Sequence, residues 1–336
     1  MSERLRVAVL GGGRSSEHEV SLASAASVCA GLREAGHEVV AVTVTREGVW
    51  TRADDGSELS LTPGRGFAGV DVVFPALHGP FGEDGTVQGL LECLDVPYVG
   101  ADVAASAICL DKVLSKDLLA RYGIPQVAYR ACTAAAWAVD RAAVLASVGE
   151  LGLPVFVKPA RLGSSVGIAR VDDGAGLQDA LAAAFGHDGR VIVEATATGI
   201  EVECSVLGNE DPVASEPGEI LLAGGESGWY DYDAKYTSGG MRLIVPARIS
   251  AAARERVRAL AVEAFLRCGC SGLARVDFFV DGDEVLLNEL NTMPGFTETS
   301  VYGALFAASG IPYPELLDRL VHLGLERHAA SRSVSY

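Results

Sequence analysis

Short apolar runs recur through the first third of the chain: "LRVAVL" (5–10), "EVVAVTVT" (38–45), "VDVVFPAL" (70–77) and "VPYVG" (96–100). A helical stretch from about Glu17 to Glu34 separates the first two. Such alternation of buried strands with helices is the sequence form of a parallel, doubly wound α/β sheet. Both helix ends are marked, because Ser16 followed by Glu19 fits a capping box and Gly36 fits a stop.

From Asp111 the pattern changes. A charged helix, "DKVLSKDLLARYG", leads into strand "PVFVKPA" (154–160), a Gly/Ser hairpin, a helix near 175–185 and strand "RVIVEAT" (190–196), the marks of a small α+β unit. A third region opens with "IEVECSVLGN" (200–209) and continues through strand "MRLIVPA", a helix over 250–267 and a strand pair near 273–291. We therefore expect three regions, 1–108, 109–198 and 199–336, although no repeat and no Pro/Ser-rich linker marks the joins.

Composition narrows the functional classes. With 336 residues the chain has room for two or three domains. A formal charge of −17 and a pI near 4.8 repel nucleic acid and acidic membrane surfaces, so an anionic ligand must meet local clusters of Lys and Arg. The seven cysteines lack CxxC or metal-ligand spacing and are expected to be reduced core residues. Met1 is followed by no signal-peptide pattern, and no run of ~18 apolar residues could span a bilayer, so a cytoplasmic protein without a membrane partner is expected.

Four segments carry candidate chemistry. "VLGGGRSSEHEV" sets a glycine-rich turn between strand and helix, where free N–H groups favour an anion, but it lacks the GxGxxG spacing and argues against a nicotinamide cofactor. Taken alone it reads better as a tight turn with a solvated Glu17. "PALHGPFGEDGTVQG" places His78, Glu83 and Asp84 among glycines at the C-terminal end of a strand, where open α/β sheets bind ligands. His78 there is equally a structural or a functional histidine. "VFVKPARLGSSVGI" offers one fixed cation, Lys158, and a hairpin of N–H and hydroxyl donors: a phosphate cradle without a P-loop sequence, or a snorkelling lysine beside a plain hairpin.

The fourth segment is the pair "LARVDFFV" and "EVLLNELNTMPG". Strand alternation puts Arg275 with Asp277 on one face and Glu289 with Asn291 on the other strand's matching face. The turn "DGDE" joins the strands, and an odd-length turn would set Asp277 opposite Glu289. Two carboxylates and an amide oxygen suit Mg²⁺, which also takes substrate phosphates into its shell. A further stretch, "YDYDAKYTSGG" (230–240), crowds three tyrosines, two aspartates and a lysine ahead of a glycine pair. Taken alone it reads as an oddly polar loop, with surface aromatics an equally open reading.

Taken together, "GGGRSSEHEVSL", "LHGPFGEDGTVQG", "LDKVLSK", "FVKPARLGSSVGI", "VECSVLGN", "YDYDAKY" and "LNELNTMPGFTETS" resemble the D-alanine–D-alanine ligases of the ATP-grasp superfamily, over nearly the full length. The resemblance implies an ATP-grasp fold, with two α+β regions enclosing ATP. It implies that Lys112, Lys158, Ser165, Glu194 and Glu201 bind ATP, and that Asp277, Glu289 and Asn291 hold two Mg²⁺ ions, for which Mn²⁺ can substitute. Glu17 would pair with the ammonium of the first D-alanine, with His78 close by. Arg275 and the N–H of Gly295 would stabilise the tetrahedral oxyanion. Lys235 and Ser300 would hold the second carboxylate, and Tyr236, Ser164 and Glu17 would form a hydrogen-bonded triad closing the site, with 230–240 a lid hinged at Gly239-Gly240 and Gly224-Gly225. A homodimer serving peptidoglycan precursor synthesis is implied as well.

The chain departs from the pattern at Glu194-Ala195, where many relatives carry Glu-Lys, so one side-chain contact to adenine is missing. Met293 and Leu162 also vary. Two alternatives frame the expectation. A D-alanine–D-lactate ligase would share the scaffold, but such enzymes tend to carry a histidine in place of the Lys235-Tyr236 pair. An inactive nucleotide-binding regulatory module would be expected to have lost a metal ligand or Arg275.

Overall fold

The computed structural model of the chain describes residues 4–222, 241–297 and 300–333. The first region contains β1 (Arg6–Gly12), α1 (His18–Glu34), β2 (Glu38–Val44), β3 (Trp50–Arg52), β4 (Val72–Pro75), α2 (Thr86–Leu94), α3 (Val103–Leu110) and α4 (Lys112–Arg121). Its sheet runs β3-β2-β1-β4, with β1 parallel to β2 and β4 and only the short β3 antiparallel. β1 is almost wholly buried, as expected of a central parallel strand with both faces covered. Its exit is fixed by Gly12, at φ +92°, where an added Cβ would lie 2.4 Å from the Val44 carbonyl oxygen.

Two expectations change here. The capping box does not form: Glu17 is the N-cap of α1 and no side chain caps the helix. Glu19 instead pairs with Arg46 at 2.9 Å, and it is the neighbouring Ser15, outside the expected box, whose hydroxyl accepts the Glu17 N–H. "VPYVG" contributes a single parallel bridge, Val73 to Tyr98, rather than a strand. Pro97 has no N–H to donate to a ladder, and Gly100 turns the chain away at φ +99°. At the other end of α1, Gly36 stops the helix at φ +98° as expected.

The second region comprises β5 (Tyr129–Thr133), α5 (Ala134–Val139), α6 (Arg141–Gly149), β6 (Val155–Pro159), β7 (Ala169–Val171), α7 (Leu177–Phe185) and β8 (Arg190–Ala195), in an antiparallel sheet ordered β5-β8-β6-β7. The third holds β9 (Ile200–Gly208), β10 (Val213–Ala214), β11 (Gly218–Leu222), β12 (Met241–Ile244), α8 (Ala251–Arg267), β13 (Gly272–Asp281), β14 (Glu284–Asn291), α9 (Val301–Ala308) and α10 (Tyr313–Arg332). Its antiparallel sheet runs β12-β11-β9-β13-β14, with β10 against β9. One face packs on α8 through Val257, Leu260, Ala264 and Phe265; the other carries the polar residues described below.

A second core joins the first and third regions. Phe74 of β4 stacks edge-on against Phe296 at 5.2 Å, and Phe296 meets Tyr302 of α9. All three rings are fully buried. Phe296→Ala is therefore expected to cost ~3–5 kcal/mol, read as a fall in the urea midpoint at unchanged slope. Six of the cysteines are buried and all seven are free; Cys93 alone is exposed and so falls outside the core expected for them.

Candidate active site

β13 and β14 bring the acidic residues together by a route the sequence did not suggest. The hairpin turn leaves two residues, Gly282 and Asp283, between the paired Asp281 and Glu284. That even-length turn would set Asp277 opposite Asn288. A β-bulge shifts the register between Asp277 and Phe278, so Asn288 is skipped and Asp277 faces Glu289, with Arg275 facing Asn291. On the other side of β13, Asp277 faces Glu203 of β9. Three carboxylates thus line up across adjacent strands.

Their charge is partly balanced from within the protein. Arg275 donates to both oxygens of Asp277 at 2.7 Å and meets Glu203 at 2.9 Å. Burial opposes the guanidinium charge, but Asp277 and Glu203 outweigh it and hold the pKa well above its usual value. Asn291 donates to Asp277 at 3.1 Å, and Lys112 lies 3.5 Å from Glu289. Among the described residues no three acidic or soft donors close around one point. A hard-oxygen face of this kind, open on one side, suits a divalent cation whose shell is completed by phosphate oxygens.

Beside this face lies a cleft of about 280 Å³, lined by Lys112, Lys158, Ser164, Ser165, Glu194, Ala195, Glu201, Asp277 and Glu289. Most of the residues expected at ATP and metal thus share one cavity. Lys158, near the end of β6, meets Glu194 of β8 at 2.5 Å, and Lys116 of α4 meets the other Glu194 oxygen at 3.0 Å. Burial raises the Glu194 pKa, yet Lys116 and Lys158 outweigh it and bring it down to about 2. Lys112 donates to the Leu162 carbonyl at 2.8 Å, tying the start of α4 to the Gly/Ser loop. Ser164 and Ser165 both adopt left-handed backbone, φ +50° and +58°, a strain of ~1–3 kcal/mol per residue typical of ligand-clamping loops.

Of the groups expected at the amino acids, Ser164 lines this cleft, and Glu17 meets it there. The Ser164 hydroxyl donates to Glu17, joining the second region to the first, so two members of the expected triad are in contact. Tyr236 and Lys235, with the stretch 230–240 and Gly224-Gly225, lie outside the described residues. His78 is buried and uses both ring nitrogens inside the protein: Nδ1 faces the Met293 carbonyl at 3.1 Å and Nε2 the Ser24 hydroxyl at 2.9 Å. Burial keeps its pKa low, against the pull of Glu17. Ser300, the N-cap of α9, accepts the Thr297 N–H at 2.9 Å, and its Oγ lies 3.0 Å from where a Cβ on Gly295 would sit.

Sequence reasoning missed Glu203, Lys116 and Ser24. Glu203 was legible in part, since it shares a strand face with Glu201. Lys116 follows Lys112 by one helical turn, which puts both on one face of α4.

An antiparallel sheet that ends in a lysine and a strained Gly/Ser loop, set across a cleft from a carboxylate hairpin, defines an enzyme of the ATP-grasp class. The family model described as "D-ala D-ala ligase N-terminus" matches residues 6–101, and "D-ala D-ala ligase C-terminus" matches 118–322. A D-alanine–D-alanine ligase from Deinococcus radiodurans is 47% identical, covering 96% of this chain and 98% of its own. One from Geobacillus thermodenitrificans is 41% identical, with 99% of each chain covered. Among solved structures, the D-alanine–D-alanine ligase from Coxiella burnetii superposes with a TM-score of 0.88 at 34% identity, over 99% of this chain and 97% of that one. The VanG D-Ala:D-Ser ligase from Enterococcus faecalis gives 0.85 at 35%, over 96% and 100%. The chain belongs to the D-alanine–D-alanine ligase family.

Proposed function

We propose that this chain joins two D-alanines at the expense of ATP, giving D-alanyl-D-alanine, ADP and phosphate for peptidoglycan precursors. The observation that carries the reading is the single cleft in which phosphate-binding lysines and the carboxylate hairpin meet, with Glu17 and Ser164 in contact at its amino-acid end. ATP sits between 109–198 and 199–336, its phosphates near Lys112 and Lys158 with the Ser165 loop over them, and its base and ribose near Glu194 and Glu201. Asp277, Glu289 and Asn291 hold Mg²⁺, with Mn²⁺ able to replace it; bound there, the metal neutralises charge on the phosphates.

The first D-alanine places its ammonium at Glu17, with His78 behind, and its carboxylate attacks the γ-phosphorus, forming an acyl phosphate as ADP leaves. The amine of the second D-alanine, held by Ser300 and Lys235, attacks that acyl carbon. Arg275 and the Gly295 N–H receive the oxyanion charge. Collapse expels phosphate, and the amine proton passes to the Tyr236–Ser164–Glu17 group. No helix among the described residues is long and apolar enough to cross a membrane. A cytoplasmic homodimer is the form we propose.

The test is ADP release from purified protein with Mg²⁺ and ATP, run over D-alanine, D-serine and D-lactate. Turnover that depends on D-alanine and yields the dipeptide is expected. ATP binding without D-alanine-dependent release, or mostly ester product when D-lactate competes, would sink the reading.

A further inference from the structure

The Gly/Ser loop, residues 161–168, joins β6 to β7 and lines the cleft through Leu162, Gly163, Ser164, Ser165 and Ile168. Two turn hydrogen bonds lie within it, from the Val166 N–H to the Gly163 carbonyl and from the Ile168 N–H to that of Ser165. With Ser164 and Ser165 both left-handed, such a loop keeps its shape only where its surroundings over-determine it.

Both ends of the loop meet one short connection, residues 186–189, between α7 and β8. At the entrance Asp188 accepts the Arg161 N–H at 2.9 Å, and it takes the Arg161 guanidinium through Nε at 3.1 Å and Nη2 at 2.5 Å. The Arg190 N–H donates to the same carboxylate at 3.0 Å. At the exit Gly167, at φ +71°, backs on to the neighbouring residue: an added Cβ would lie 2.7 Å from the His187 ring and 2.9 Å from Pro159. The connection is itself tied to α7, because the His187 and Asp188 N–H groups both donate to the Ala184 carbonyl.

The Asp188 side chain is 4% exposed and that of Arg161 56%, so the carboxylate is the fixed partner. Burial works against its charge, yet Arg161 and the Arg190 N–H outweigh it and hold the pKa below the usual carboxylate range. The same strand start reaches Lys112. Arg190 donates to Asp111 at 2.7 Å, Asp111 caps α4, and Lys112 at the head of that helix returns to the loop through the Leu162 carbonyl.

We propose that Asp188 is a positioning residue: paired with Arg161, it fixes the base of the Gly/Ser loop and so sets the loop's N–H and hydroxyl donors over the nucleotide phosphates. The inference rests on the reading above, in which the Ser165 loop covers the phosphates of ATP. Neither Asp188 nor Arg161 is among the residues that line the cleft, so their effect passes through the loop. Charge-assisted, forked pairs of this kind hold geometry well, and a loop ordered beforehand need not be ordered at the expense of binding.

The experiment compares wild type, Asp188→Ala, Asp188→Asn, Arg161→Ala and the double variant Asp188→Ala/Arg161→Ala in the full chain. Calorimetry with Mg²⁺ and the β,γ-imido analogue of ATP gives Kd, and the coupled assay gives the KM for ATP. Asp188→Ala is expected to raise both ~10-fold or more, and Arg161→Ala ~3- to 10-fold. Asp188→Asn, which keeps an acceptor oxygen without the charge, should fall between wild type and Asp188→Ala. The double variant should bind no worse than Asp188→Ala alone, since the two residues act as one. Thermal melts identify any variant that fails to fold; the Arg161 side chain is largely exposed, so Arg161→Ala decides if Asp188→Ala is lost. A Kd within ~2-fold of wild type in the folded variants, even with a lowered melting temperature, overturns the proposal, as do losses that simply add in the double variant. Calorimetry needs no turnover, so a wild type that binds the analogue but forms no dipeptide strikes the functional reading while Kd still judges the role of Asp188.

Discussion

Asp277→Asn is expected to reduce D-alanine-dependent ADP release by ~10³-fold or more while leaving the protein folded. Asp277 is at the centre of the row of carboxylates, between Glu203 and Glu289. Both of its oxygens hold Arg275, and one also accepts from Asn291. An amide at this position presents an N–H₂ group to the guanidinium and removes one negative charge from the face proposed to hold the metal. Arg275 keeps Glu203 at 2.9 Å, so its buried charge retains a partner and the fold should survive. The measurement pairs the coupled assay over a Mg²⁺ titration with a thermal melt. Activity above about a tenth of wild type in a folded variant would mean that Asp277 is no metal ligand.

How much of this site could be read before the structure depended on the range of each contact. Strand alternation is local, so the shared face of Arg275 and Asp277, and that of Glu289 and Asn291, followed from a period of two. Their opposition did not follow. It needs the bulge that skips Asn288, and nothing in "EVLLNEL" marks an irregular pair. Glu203 contacts Arg275 only because β9 lies beside β13, a neighbour relation that sequence spacing does not fix. Ser24, His78 and Met293 come from three separate stretches: Ser24 meets His78 side chain to side chain, and His78 reaches Met293 through its backbone carbonyl, which carries no side-chain signature. The alternating strand–helix pattern of the first region was legible, apart from the single bridge at Tyr98; the helices α9 and α10 were not marked out, since their apolar residues pack on two neighbours at once.

The buried triad of Lys116, Glu194 and Lys158 gives the second large expectation. The Lys116 and Glu194 side chains are 2% and 3% exposed, so neither charge has water to fall back on. Removing one member of such a set usually costs ~3–5 kcal/mol, because the partners are left buried and unbalanced. Glu194→Gln should therefore lower stability by that order at pH 7. The pH dependence separates this cause from simple loss of packing. In the wild type the Glu194 pKa is depressed to about 2, so its contribution is full above the ordinary carboxylate range and is lost as pH falls through that value. In the variant the burden shifts to Lys116, whose pKa is already lowered by burial and, secondarily, by Lys158, against the pull of Glu194. Without the carboxylate that pull is gone, and the folded state sheds the Lys116 proton at a pH where the unfolded chain still holds it. A group whose folded pKa lies below its unfolded one in this way makes stability rise with pH. Urea unfolding at about pH 7 and again at about pH 9.5 should thus show the gap between variant and wild type narrowing. A gap that is equal at both values would assign the loss to packing alone, and the absence of a gap at pH 7 would mean that the two lysines need no anion between them.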